Sequence, residues 1–371
     1  MLEDIACLLK DGSYAALVIA GDVYDRSIPS PQAIDLFGSF LGKVKNLHPS
    51  PEVLVIPGNH DSPSRLGFGR ELFARLGIRL GVNAEDCDKP IIVEQNGERC
   101  AFFLLPFLCP HALSAEDPAG GPPLSLHAQS ALAQEASRRM EKARRESRLE
   151  CGGRSVLVSH LFTQGGVEAG SERVFLGNAE LVNPGLFAGF DYVALGHLHR
   201  CQNIRDNTWY SGSPLAYSFG EVADKYFLSV ELADDGTKVE KIPVKPLHRV
   251  TSLSGPFARF NEPAPDDAEL LAAGDDYLEI RLTDRGVTEN AREKLGKRFP
   301  RLLSLRQDEA LAGLSSALAA RGPSSGRDSQ SRQGIASDFS DFLCSLYGQT
   351  NREEIELFNA LLAEAESGEL L

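Results

Sequence analysis

Four short apolar runs constrain this chain more than any other feature: AALVIA at 15–20, VLVI at 53–56, SVLVS at 155–159 and YVAL at 192–195. None alternates polar with apolar residues, so each must be covered on both faces, as central strands of an α/β sheet are. Between the first two, over 31–46, Ile34, Phe37, Leu41 and Val44 share one helical face behind a first-turn proline, Pro31. Residues 68–76 read as a short helix and 126–149 as a long polar one. Runs at 90–94 and 99–105 flank Gln95-Asn96-Gly97-Glu98, a hairpin signal centred on Asn-Gly. Strand-like runs at 208–211, 225–231 and 238–246 then crowd around a turn at 233–236. This order predicts an α/β sandwich with a mixed sheet, flanked by helices.

At 371 residues the chain is long enough for two domains, at about 150 residues each. Residues 252–276, rich in Pro, Gly, Ala and Asp, read as a linker. Beyond it come a strand at 277–282, a helix at 288–297 and a strand at 301–305. Residues 109–123 read as a loop and 321–334 as a low-complexity segment. Two amphipathic helices are expected at 338–347 and 352–365. No apolar run reaches the roughly 18–20 residues that span a bilayer. The acidic start, MLEDIACLLKDG, is not a secretory signal. Seven scattered cysteines without CxxC spacing read as reduced thiols of a cytoplasmic protein. Thirty-eight basic against 52 acidic residues leave a net charge of −14, which argues against a protein that holds nucleic acid unaided through phosphate contacts. Contact that is local, metal-assisted or shared with a partner stays open.

The chemistry lies where the apolar runs end. Gly21-Asp22-Val23-Tyr24-Asp25-Arg26 follows the first, Gly58-Asn59-His60-Asp61 the second, His160 the third and Gly196-His197-Leu198-His199 the fourth. Ligands of open α/β sheets bind outside the carboxyl ends of strands. Asp22, Asn59, His160, His197 and His199 offer a carboxylate, an amide oxygen and three imidazoles, a donor set for manganese, iron, zinc or magnesium. Two such ions form the clamp used for in-line phosphoryl displacement. Each cluster alone also reads as a turn, a helix cap or an interior histidine. Their joint occurrence at four strand ends favours the metal reading. Gly21, Gly58 and Gly196 let the backbone turn and leave room beside the donors. His48, His111, His127 and His248 have no such context.

GDVYDR, GNHD, SHLF and GHLH, in this order, resemble motifs of the calcineurin-like metallophosphoesterases. GDVYDRSIPS, IPGNHDSPSRLGFG, YVALGHLHRCQ and YSGSPLAYSFGE narrow the resemblance to the family's DNA double-strand-break-repair nuclease subunits. The resemblance implies a metallophosphoesterase-type β-sandwich over 1–250 and a small α+β capping domain over 251–320. A flexible linker over 321–335 and C-terminal helices over 336–371 would follow, the helices docking on an ATPase partner. It implies two divalent metal ions, manganese foremost, with Asp22 as the bridging carboxylate. Asn59, His160 and His197 would hold the second metal and His199 the first. His60 would contact the scissile phosphate as a catalytic residue, and Asp61 would orient it. Arg26 and Arg65 are candidates to face phosphate, weighed against ordinary solvated surface charges. The resemblance also implies a homodimer acting on DNA. No GxxxxGK[ST] loop is present, so ATP hydrolysis would fall to the partner.

One departure matters. The family opens with a strand ending in Asp-x-His, which supplies two ligands to the first metal, and no Asp-x-His lies upstream of Asp22. Met1 falls in what reads as the helix after that strand. A central strand and two ligands are therefore expected to be missing, leaving unpaired backbone and exposed apolar side chains. A start codon assigned too far downstream, a truncated chain and an inactive protein are the three explanations. The intact later motifs favour the first. A catalytically impaired scaffold and a small-substrate metallophosphodiesterase are the alternatives to a nuclease. The protein phosphatases of the family, with GDxVDRG and GNHE, fit poorly, because Ser27 and Asp61 stand here.

Overall fold

The computed structural model describes residues 1–11, 14–116, 123–148, 153–168, 181–221, 224–284, 288–307, 339–340, 343–344 and 355–359. The chain divides into two compact units, residues 1–247 and 248–371.

The first unit begins with α1 (Leu2–Asp11), β1 (Ala16–Ala20), α2 (Pro31–Leu47) and β2 (Glu52–Ile56). Two short helices, α3 (Pro63–Leu66) and α4 (Arg70–Arg75), precede β3 (Ile78–Leu80). These strands form a parallel sheet in the order β1-β2-β3. Ser30 caps α2 by accepting from the Ala33 N–H at 3.2 Å, and Pro31 supplies the preset first turn. The helix buries Phe40, Leu41 and Val44. Ile34, expected on that face, is instead 49% exposed; it lies in the helix's first turn, and the buried residues Phe40, Leu41 and Val44 all lie in its later turns.

The hairpin β4 (Ile91–Gln95) and β5 (Glu98–Leu105) turns on Asn96 and Gly97. Their φ values of 55° and 82° are those of the mirror-image turn that Asn-Gly favours. Two-residue strands β6 (Ser114–Ala115) and β7 (Leu124–Ser125) pair within the stretch expected to be a loop. The long helix α5 (Gln129–Arg148) leads to β8 (Ser155–His160) and β9 (Tyr192–Gly196). Then come β10 (Gln202–Arg205), β11 (Thr208–Tyr210), β12 (Tyr226–Ala233) and β13 (Gly236–Pro243). The second sheet is mixed, in the order β10-β11-β9-β8-β5-β4, and β12-β13 form a separate antiparallel ribbon.

The strands show a period of two. In β2, Val53 and Val55 pack with Phe40, Leu41 and Val44, while Leu54 and Ile56 face Phe102, Leu104 and Val158 of the second sheet. In β5, Phe103 and Leu105 turn the other way, onto Leu132, Ala136 and Met140 of α5. The layers are therefore helix, sheet, sheet, helix. β1 differs from β2. It is an edge strand, and all five of its apolar residues are only half-buried.

The second unit contains β14 (Val250–Gly255), α6 (Phe257–Asn261), α7 (Ala268–Ala272), β15 (Tyr277–Leu282), α8 (Ala291–Arg298) and β16 (Leu302–Gln307). Its three strands form a parallel sheet in chain order. The stretch expected to be a linker is thus structured. Its Pro and Gly residues punctuate a strand and two short helices whose Leu253, Phe260 and Leu270 enter the unit's core. The low-complexity segment at 321–334 lies outside the described residues, as do most of the two expected C-terminal helices. The parts that are described, 339–340, 343–344 and 355–359, are helical, and Phe339 stacks on Phe358 at 3.8 Å between ring centroids.

Candidate metal centre

Parallel pairing brings the four motif-bearing strand ends to one end of the unit. Ala20 pairs with Ile56 at the ends of β1 and β2, and His160 pairs with Gly196 at the ends of β8 and β9. The turns after them are tight. Gly21 has φ +90°, and a Cβ there would lie 2.1 Å from His160 Nδ1. A Cβ on Gly58 would lie 2.1 Å from Asp22 Oδ1. Asp22 and His197 themselves hold positive φ, 49° and 105°. Strained non-glycine backbone of this kind costs on the order of 1–3 kcal/mol and clusters at functional sites.

Asn59 Oδ1 is the hub. It lies 3.0 Å from His160 Nε2 and 3.1 Å from His197 Nδ1. Asp22 Oδ2 lies 3.3 Å from the same His160 Nε2. His160 Nδ1 is 2.8 Å from the Ala20 carbonyl, which can only accept, so Nδ1 carries a proton. Nε2 then meets two oxygen acceptors at once. Only a proton on Nε2 or a shared cation makes that convergence favourable. His197 donates from Nδ1 to Asn59, and its buried Nε2 has no protein partner among the described residues. Burial, helped by the neighbouring His160, pushes the His197 pKa down to about 3, so the ring is neutral and its Nε2 lone pair is available. Burial raises the Asp22 pKa, but the His160 ring and the His60 N–H at 3.0 Å outweigh it and hold the pKa at about 2. Among the described residues no three carboxylate, imidazole or thiolate groups form a closed cage, and here an amide oxygen joins the donors instead. A carboxylate, an amide oxygen and neutral imidazoles, one with an orphaned buried nitrogen, fit a borderline-hard divalent cation.

The remaining expected site residues are placed differently. His60 Nδ1 lies 2.8 Å from the Asp25 carbonyl, so Asp25 rather than Asp61 is the group that orients this ring. Asp61 accepts from the backbone N–H of Val23 (3.0 Å), Tyr24 (2.9 Å) and Gly58 (2.9 Å). It clasps the loops after β1 and β2 together. Burial raises its pKa against the lowering effect of those three amides. His199 lines the same cavity as Asp22, Asn59 and His197, but its Nδ1 is 3.0 Å from Glu221 Oε1. The fully buried Glu221 side chain also meets Lys225 Nζ at 2.5 Å, and Lys225 reaches the His199 carbonyl at 3.0 Å. Sequence reasoning misses Glu221 and Lys225. Their only signal is a four-residue spacing after Ser-Phe-Gly. Arg26 is 81% exposed and paired with Asp25 at 3.3 Å, and Arg65 is exposed, as ordinary surface arginines are.

Residues 1–201 match the calcineurin-like phosphoesterase family. The chain is also similar to the SbcD subunit of the nuclease SbcCD from Staphylococcus saprophyticus, at 30% identity over 317 residues, which cover 82% of this chain and 79% of that protein. The chain belongs to the calcineurin-like phosphoesterase family.

Proposed function

We propose that this calcineurin-like phosphoesterase is the nuclease subunit of an SbcCD-type complex, hydrolysing DNA phosphodiester bonds with an SbcC-like ATPase as partner. The activities would be double-strand exonuclease and single-strand endonuclease, in DNA repair and recombination. The observation that carries the reading is the convergence of Asp22, Asn59, His160 and His197 from four strand ends, with His160 Nε2 facing two oxygens and His197 Nε2 buried without a partner among the described residues. Asp22, Asn59, His160 and His197 would hold the metal, and His199 would add a donor from the cavity wall. Divalent cations, manganese foremost, supply Lewis-acid polarisation of phosphate and an activated water when bound. His60 donates its Nδ1–H to the Asp25 carbonyl, which leaves Nε2 to face the phosphate; as an imidazolium it would donate the Nε2 proton to the leaving oxygen and end as the neutral ring. Asp61 keeps the Asp22 and Asn59 loops in register. The partner would supply much of the DNA-binding surface that a chain of net charge −14 lacks.

The test is manganese titration of the full chain by calorimetry, paired with cleavage of a linear duplex and of a small phosphodiester. Asp22→Ala should weaken manganese at least about tenfold and abolish cleavage of both substrates. Unchanged turnover would refute the role of Asp22. Cleavage of the small phosphodiester alone, even with the ATPase present, would favour a small-substrate phosphodiesterase. A second reading, a catalytically impaired scaffold, is favoured by His199, whose Nδ1 is turned to Glu221 and not to the donor cluster. Two manganese ions per chain would reject it, and one ion without turnover would support it.

A further inference from the structure

Gly212-Ser213-Pro214 and Ser218-Phe219-Gly220-Glu221 add nothing to the donor cluster, yet this segment closes around His199. Gly212 turns with φ +80°, and a Cβ there would lie 2.7 Å from the His199 carbonyl oxygen, so the turn needs glycine. The Ser213 N–H donates to that oxygen at 3.1 Å. Lys225 Nζ donates to it at 3.0 Å, to Ser213 Oγ at 2.8 Å and to Glu221 Oε2 at 2.5 Å. Three acceptors thus satisfy the three protons of a buried ammonium. The backbone of His199 is fixed by one segment, 212–225.

The ring is fixed by the same segment. The Glu221 side chain is fully buried, and its other oxygen, Oε1, lies 3.0 Å from His199 Nδ1. With the Lys225 ammonium on Oε2, Glu221 is an anionic acceptor. The shared proton therefore sits on His199 Nδ1, and the lone pair of the ring sits on Nε2. The Tyr217 ring leans on the imidazole at 5.4 Å between centroids. A carboxylate that only ties loops together spends both oxygens on backbone, as Asp61 does. Glu221 spends one on a ring that lines the cavity with Asp22 and His197. His60 and His160 give Nδ1 to backbone carbonyls and His197 gives it to an amide oxygen. Of these four imidazoles, His199 alone gives Nδ1 to a carboxylate among the described residues. Such a partner raises the basicity of the other ring nitrogen.

We infer that Glu221, held by Lys225, is a positioning residue of the candidate metal centre. It keeps the proton of His199 on Nδ1 and so makes Nε2 the nitrogen that His199 offers to a divalent cation. The inference rests on the metal-centre reading proposed above and deepens it. It gives the Gly-Ser-Pro turn and the Glu221–Lys225 pair one shared task, which is to aim and charge a single imidazole.

The test reads the tautomer directly. The full chain, labelled with nitrogen-15 histidine and free of metal, is measured by long-range proton–nitrogen NMR at mildly alkaline pH, where an ordinary imidazole is neutral. His199 is assigned by the signals lost in His199→Gln, and should show a protonated Nδ1 and a bare Nε2. Glu221→Ala alone leaves Lys225 buried without its counter-charge, which destabilises by itself, so paired variants carry the test. Glu221→Met with Lys225→Met removes both charges at similar volume. In it the His199 proton should move to Nε2, and manganese affinity in calorimetry should fall at least about tenfold. Glu221→Gln with Lys225→Met keeps an oxygen acceptor for Nδ1–H, and should restore the tautomer and bring affinity to within about threefold of the natural chain. A tautomer unmoved in the Met pair, or a Gln pair no better than the Met pair, would overturn the inference. The two failures are distinct. An unmoved tautomer overturns the role of Glu221 and leaves the nuclease reading intact. A moved tautomer in a chain that binds no manganese supports that role and overturns the nuclease reading.

Discussion

Two side chains separate chemistry from architecture at the site. His60 is held by a backbone carbonyl and makes no bond to the donor cluster through its ring. His60→Ala should therefore leave manganese affinity within about twofold while turnover falls on the order of a hundredfold or more. Loss of bound manganese in calorimetry would mark His60 as a ligand instead. Asp61 is the opposite case. Asp61→Ala leaves three amide donors without their acceptor, one of them on the buried Gly58 bond, at a cost of about 3 kcal/mol. The melting temperature of the first unit should drop by roughly 5–10 °C in calorimetry. A shift under about 2 °C would sink the clasp role. The candidate donors could be picked out in the sequence because glycine, carboxylate and imidazole stand together after apolar runs, and the structure brings Asp22, Asn59, His160 and His197 within hydrogen-bonding reach of one another. Partnership could not. Whether Asp61 or the Asp25 carbonyl meets His60 depends on how two loops fold over each other, and the spacing of Asp25, His60 and Asp61 is the same either way.

Strands with an unbroken apolar centre were the most legible elements: β1, β2, β8 and β9 each carry one and are flanked by turn residues, although β1 is only half-buried. The stretch 252–276 was not legible, because its strand buries only Leu253 and its helices are five residues each. Those elements exist through tertiary contacts. One is the pair of Arg259 with Asp267, at 2.8 Å and 3.0 Å, with Asp267 also capping α7 through the Leu270 N–H. The Arg259 guanidinium holds the Asp267 carboxyl at about 2, below its unfolded value near 3.8. A carboxylate with a lowered folded pKa stabilises fully above the unfolded value and loses that contribution as pH falls through the folded one. Amide exchange over 257–272 should thus accelerate between about pH 4 and pH 2. Asp267→Ala should be fast throughout and flat across that window. An unchanged acid limb in the variant would show that the pair does not hold these helices.

At the scale of the whole molecule, the proposed docking on an ATPase partner is assigned to residues 336–371, most of which lie outside the described structure. Deleting 338–371 should leave hydrolysis of a small phosphodiester unchanged and abolish pull-down of the SbcC-like ATPase. Retained pull-down would move the docking surface elsewhere. The candidate centre, by contrast, belongs wholly to the first unit, and its bonds are long in sequence: Asn59 to His197 joins residues 138 positions apart, and Ala20 to His160 joins residues 140 apart. Contacts of such high order form late, after much chain has been closed into loops. A chain emerging from the ribosome therefore cannot gather its donors until β9 has been synthesised and docked, and any ion that reports on the centre during refolding will report the end of the process, not its beginning.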